Sequence, residues 1–175
     1  MMSPSLHFAV EDVLQQGCTF LERMSDEVYA RALDDTLSSS LGAHYRHVLD
    51  HFLCLAEGIR SGQVNYDERQ RNPELECSVA KARSATEGLI EKFRGLNAEV
   101  LRRECSVTYR VAYGEGEAEL VGSNLAREVM FCVGHAIHHY AILKLLCAGV
   151  GVKLPYEFGV APSTLKYLEA KTTGR

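Results

Sequence analysis

No stretch of this chain reaches the roughly 20 consecutive apolar residues that a membrane-crossing helix needs. The longest, around residues 141–150, is interrupted by Lys144 and runs out at Gly149, which leads to the expectation of a soluble protein without a membrane partner. Positive charge is not in excess either: 19 Lys and Arg stand against 23 Asp and Glu, giving a formal charge of −4 and a pI near 6.0. That balance offers no basic field to a phosphate backbone and argues against nucleic acid as a partner. The six cysteines, Cys18, Cys54, Cys77, Cys105, Cys132 and Cys147, contain no CxxC pair and read as reduced thiols of a cytoplasmic protein. Met1-Met2-Ser3-Pro4-Ser5 has neither a basic nor an apolar region, so no secretory leader is expected. With only 4 Pro, 46% hydrophobic and 24% charged residues, the 175-residue composition is that of one globular domain, which excludes disorder and collagen-like repeats.

What is present is helical periodicity. Leu6, Val10, Val13, Leu14, Gly17, Leu21 and Met24 recur every three to four residues and predict a helix over roughly residues 5–24. Ser25-Asp26-Glu27 predicts a capped short turn of helix through Ala32. The serine run Ser38-Ser39-Ser40 precedes a second long helix carrying Leu41, His44, Val48, His51, Phe52, Leu55 and Ile59, which stops at Ser61-Gly62. Residues 65–73 read as an ordered crossover loop. Pro73 reads as the first residue of a third helix, with Ala82, Thr86, Leu89, Ile90, Phe93 and Leu96 inward. The period changes to two over residues 106–113, and Gly114-Glu115-Gly116 supplies a turn before residues 118–121, so a β-hairpin is expected. Ser123 would cap a fourth long helix ending near Ala148. The tail, with Phe158-Gly159-Val160-Ala161-Pro162, predicts an extended segment packed on the bundle, then a short helix capped at Ser163. The expected fold class is therefore all-α, a four-helix bundle with a short β-hairpin between the third and fourth long helices.

Six of the seven histidines fall in two groups, His44, His47 and His51 on the second long helix and His135, His138 and His139 on the fourth. Residues four apart on a helix stack about 6 Å apart on one face, so His135 and His139 can aim at one ion. Neutral imidazole is the commonest protein ligand for divalent transition metals. A third ligand must come from the second long helix, where His44 and His51 are two turns apart and cannot both reach. Periodicity leaves His47 or His51 and slightly favours His51. There is no HExxH, so the metalloprotease pattern is absent.

Three regions together, Gly42-Ala43-His44-Tyr45-Arg46-His47-Val48-Leu49-Asp50-His51-Phe52, Asn65-Tyr66-Asp67-Glu68-Arg69-Gln70-Arg71 with Glu76, and Gly134-His135-Ala136-Ile137-His138-His139-Tyr140-Ala141, resemble the DinB/YfiT-like superfamily over nearly the whole chain. The resemblance implies a four-helix bundle, often dimeric, holding a divalent metal with one His of the second helix and an HxxxH pair of the fourth. On that pattern the ligands are His47, His135 and His139, against the periodicity preference for His51.

Three imidazoles leave positions open for water or substrate, whereas a fourth, for which His51 is the candidate, would close the site. Glu128, two turns before His135, is the candidate base or water-orienting residue, or else a surface carboxylate paired with Arg127. Cys132 reads as a buried small hydrophobe. Asp50 either bonds a ligand imidazole or faces water. Tyr66, Asp67, Arg69 and Arg71 either brace the crossover by internal ion pairs or grip a carboxylate-bearing substrate.

The functional expectation is a metal-dependent enzyme acting on a small molecule, in which Zn²⁺, Ni²⁺ or Fe²⁺ activates a thiol or water. The resemblance implies S-transferases and isomerases that use low-molecular-weight thiols. The alternative is a non-catalytic metal-binding dimer whose ion only joins two helices. A homodimer is expected mostly from the resemblance, with Phe8, Phe20, Val133 and Leu143 as candidate outward apolar residues.

Overall fold

The elements of this computed structural model are described for residues 6–33, 39–113 and 117–174. In chain order they are α1 (Leu6–Leu21), α2 (Asp26–Ala30), α3 (Leu41–Ser61), β1 (Gln63–Asn65), α4 (Glu74–Cys77), α5 (Val79–Arg94), α6 (Ala98–Leu101), β2 (Glu104–Tyr109), β3 (Glu119–Asn124), α7 (Leu125–Gly149) and α8 (Pro162–Thr172). The long helices begin where a polar side chain satisfies orphaned amides. Ser40 Oγ accepts from the Ala43 amide at 3.0 Å to open α3, and Asn124 Oδ1 accepts from the Arg127 amide at 3.0 Å to open α7. Gly62 closes α3 in the left-handed region, φ 75°, with its amide bonded to the Gly58 carbonyl.

Helices α1 and α3 each pack against both α5 and α7, so the four long helices close into a bundle around one core. Aromatic rings fill its centre: Phe20 lies 5.3 Å from Tyr45 and 6.1 Å from Phe158, and Tyr140 stacks on Phe158 at 4.8 Å. Tyr45 is fully buried, and its hydroxyl is paired with Thr86 Oγ1 at 2.8 Å. The tail packs on α7 through Gly159, whose φ is 70° and where a Cβ would stand 2.5 Å from the Ala141 amide nitrogen, an approach only glycine permits. Its amide donates to Gln16 Oε1 on α1 at 3.1 Å.

A small sheet of order β1-β2-β3 closes one end of the site. β1 runs parallel to β2 with Val64 opposite Val107, and β2 runs antiparallel to β3 with Val107 opposite Val121. The expected hairpin is present, but strand β2 starts earlier, at Glu104, and ends earlier, at Tyr109, while β3 runs on to Asn124. The expected turn at residues 114–116 lies outside the described residues, as do Ser38 of the serine run and residues 1–5. β1 was not read in the sequence, because three residues show no period.

Three local expectations are corrected. Pro73 caps the short α4 rather than opening the third long helix, which starts at Val79 because Ser78, extended at φ −125° and ψ 113°, breaks the chain and caps α5 through its own hydroxyl. Asn124 rather than Ser123 caps α7, and the Ser123 hydroxyl goes instead to Glu128. α8 opens with Pro162 at its start and no side-chain cap, rather than on Ser163. Helix α7 is long and apolar enough by length and composition alone to cross a membrane, a test that the core helix of a soluble protein also passes. It packs along α3 and α1, with Val129, Cys132, Ala136, Tyr140 and Glu128 buried.

Candidate metal centre

The packing of α3 on α7 brings the two histidine groups face to face. Candidate ligand atoms of His47, His135 and His139 all lie within 4.8 Å of one another. The Nε2 atoms of His47 and His135 are 3.2 Å apart, and the three ring centroids are separated by 4.5 to 5.0 Å. Zn–N bonds of about 2.0–2.1 Å in a tetrahedron place ligand nitrogens about 3.3–3.4 Å apart, so one edge of that tetrahedron is already present. His139 Nδ1 is buried without a hydrogen-bond partner among the described residues. A buried imidazole nitrogen left unpaired is costly, and a cation bound at its lone pair would supply the missing partner. The donor set therefore fits a divalent ion.

The electrostatics favour the ligand form. Burial, reinforced by the neighbouring imidazoles, lowers the pKa of His47 and His135 to about 3 and that of His139 to about 4. At neutral pH all three rings are uncharged and keep a lone pair.

His51 is turned to a different task. Its Nδ1–H donates to the His47 carbonyl at 2.9 Å, and its ring lies against His135 at 4.0 Å and against Tyr66 at 5.3 Å, nearly parallel to the latter. It is not one of the three clustered ligand residues. His44 is also set apart, 6.1 Å from His139 by ring centroids, with its Nε2 buried and unpaired among the described residues. His138 is exposed.

Glu128 is 1% exposed, and both of its oxygens are engaged. Oε2 accepts from the Tyr66 hydroxyl at 2.9 Å, while Oε1 accepts from Ser123 Oγ at 2.5 Å and Arg127 Nη1 at 3.1 Å. Glu128 thus connects to the histidines through Tyr66 and His51. The Cys132 thiol is buried beside the His51 carbonyl and the Tyr66 hydroxyl, and burial pushes its pKa up to about 12, which suits a packed thiol. Asp50 follows neither expectation: it is buried, accepts from Arg46 Nη1 at 2.7 Å, and has Oδ1 unpaired among the described residues. Arg46 also binds Glu76 at 2.8 Å, tying α3 to α4.

A cavity of about 520 Å³ opens beside the imidazoles, lined by His47, His51 and His135 on the helical side. Its other walls are Asp67 and Arg69 of the crossover and residues 109–113, the last residue of β2 and the segment after it. A second cavity of about 340 Å³ adjoins it, sharing Tyr109 and Val111, and reaches Glu128 and Phe131. Tyr109 and Phe131 as site walls were missed in the sequence, whereas Tyr66 was named there as part of the crossover segment. The alternation in β2 that places Tyr109 was visible there, but which helix it would face was not.

No family model matches the sequence. A segment of 109 residues, 61% of this chain, is 33% identical to FK506-binding protein 5 of Rhizopus delemar; the matched part is 28% of that relative's length. The crystal structure of a DinB-like protein, YjoA, from Bacillus subtilis superposes with a TM-score of 0.65 at 20% identity, covering 87% of this chain and 97% of that one. With the bundle, the sheet and the facing histidines in place, that correspondence shows that the chain has a DinB-like fold.

Proposed function

We propose that the chain is a divalent-metal protein in which His47, His135 and His139 hold one Zn²⁺, Ni²⁺ or Fe²⁺ ion and which acts as an enzyme on a small molecule. The reaction is of S-transferase or hydrolase type, with a low-molecular-weight thiol or water as the nucleophile. The observation that carries this reading is the convergence of three neutral imidazoles from α3 and α7, two of which, His47 and His135, line a cavity large enough for a small substrate. A bound ion would lower the pKa of a coordinated water or thiol into the physiological range. His51, held by the His47 carbonyl and stacked between His135 and Tyr66, fixes the wall against which the ligand rings lean. Glu128 anchors Tyr66 in that wall, so its contribution is to position the site through Tyr66 and His51. The protein is read as a single cytoplasmic domain that forms a homodimer. Of the residues expected outward, Phe20 and Leu143 are core and Val133 is half-buried, so the dimer reading rests on Phe8, at 54% exposure, with Leu145 at 75% and Met130 at 62%.

The decisive experiment is metal analysis of protein purified without a histidine tag or added metal. One ion per chain is expected, with His135→Ala or His139→Ala losing nearly all of it. His51→Ala is expected to keep it. Retention of full stoichiometry in His135→Ala would overturn the ligand assignment, and loss of metal in His51→Ala would replace the open site by a closed, structural one.

A further inference from the structure

The cavity beside the imidazoles carries two guanidinium groups, Arg69 and Arg110, and one carboxylate, Asp67. Arg69 is half-buried and takes part in no ion pair among the described residues, Asp67 included. Its Nη1 donates to the Tyr66 carbonyl, which fixes the plane of the guanidinium. Its Nε is buried with no hydrogen-bond partner among the described residues. The loop does not need Arg69 as an ionic brace, because the Asn65 side chain already accepts from the amides of Asp67 at 3.0 Å and Glu68 at 3.4 Å. A half-buried guanidinium held by one nitrogen keeps its Nε–H and Nη2–H edge, the edge that pairs side-on with a carboxylate. Leaving such donors unpaired is costly, and an anion arriving from the cavity removes that cost.

We propose that Arg69 is the residue that recognises the substrate, and that the substrate class is small molecules bearing a carboxylate. This rests on the reading of the neighbouring imidazoles as a metal centre. One end of the substrate meets the metal side of the cavity, lined by His47 and His135. Its carboxylate lies against the Nε/Nη2 edge of Arg69, with Arg110 adding positive charge from the segment after β2. Asp67, lining the same cavity with Oδ2 unpaired among the described residues, repels a second anion placed beside the loop and so limits the site to one carboxylate there.

The test uses zinc-loaded protein of verified stoichiometry and calorimetric titration with succinamate and with succinamide. The two share one neutral amide end and differ in whether the other end is a carboxylate or a second amide. Wild type is expected to bind succinamate about tenfold more tightly than succinamide, the order of one charge-assisted bidentate contact. Arg69→Gln is expected to shrink the preference to about twofold or less with zinc content unchanged. Equal binding of the two ligands by wild type, or a full preference retained in Arg69→Gln, overturns the proposal. If Arg69→Gln loses its helical circular dichroism, Arg69→Lys, which keeps the charge and loses the fork, replaces it with an expected drop of about threefold or more. Failure of the protein to take up zinc sinks the metal reading instead. In that case the same pair of titrations on the metal-free protein still decides the role of Arg69, with the preference for succinamate expected to persist.

Discussion

Acid should unfold the metal-free protein from inside its own site. His47, His135 and His139 have pKa values lowered to about 3, 3 and 4 in the fold, chiefly by burial, against 6.5 for an ordinary histidine. A base whose folded pKa is depressed binds fewer protons folded than unfolded throughout the window between the two values. Stability is therefore intact above about pH 6.5 and falls as pH drops toward the folded values. Each such group costs about 1.4 kcal/mol per pH unit in that window. Three of them between pH 7 and pH 5.5 cost about 4 kcal/mol, a large part of the roughly 5–15 kcal/mol that holds a domain together. His44 and His51, whose pKa values burial also lowers, act in the same direction. Urea unfolding of metal-free protein at half-unit pH steps checks this. The midpoint should fall steeply below pH 6.5 with m unchanged, and His135→Gln, which cannot be protonated, should flatten the slope by about 1.4 kcal/mol per pH unit. A midpoint that stays constant from pH 7 to pH 5 would refute the claim that these imidazoles are held neutral by the fold.

Exogenous thiol added to Co²⁺-substituted protein should produce a thiolate-to-metal charge-transfer band whose pH midpoint lies well below about 8.5, the free-thiol value; no band at millimolar thiol with metal fully loaded would eliminate thiol transfer. Tyr66→Phe removes the hydroxyl that donates to the buried Glu128 and should cost about 1–3 kcal/mol in urea unfolding while leaving metal stoichiometry intact. A neutral result there would mean that Glu128 is satisfied by Ser123 and Arg127 alone. Sedimentation should give about twice the 19.4 kDa chain mass at micromolar concentration, and a monomer would remove the dimer reading.

What was legible in the sequence is what helical geometry decides locally. The apolar recurrence of α1, α3 and α7, the capping residues Ser25 and Ser40, the stop at Gly62 and the same-face spacing of His135 and His139 all follow from a 3.6-residue turn and the amides it orphans. Ser78 shows the limit of that legibility, since its hydroxyl was present in the sequence while Pro73 looked like the better start, and only the extended backbone at Ser78 separates α4 from α5. The choice between His47 and His51 shows it more sharply. Periodicity favoured His51, whose side chain is the more buried of the two, yet burial is not ligation: its Nδ1–H is spent on the carbonyl one turn back, and its ring is packed between His135 and Tyr66. The resemblance had already chosen His47 over His51, whereas that Glu128 reaches Tyr66 across 62 positions, and that Arg69 and Arg110 share a cavity with the imidazoles, were decided by tertiary structure alone. The sequence by itself determined the helices and the faces they bury, because those depend on contacts a few residues apart; the site required the rotation of one helix against another and the path of the crossover, which arise only when distant side chains compete for the same space.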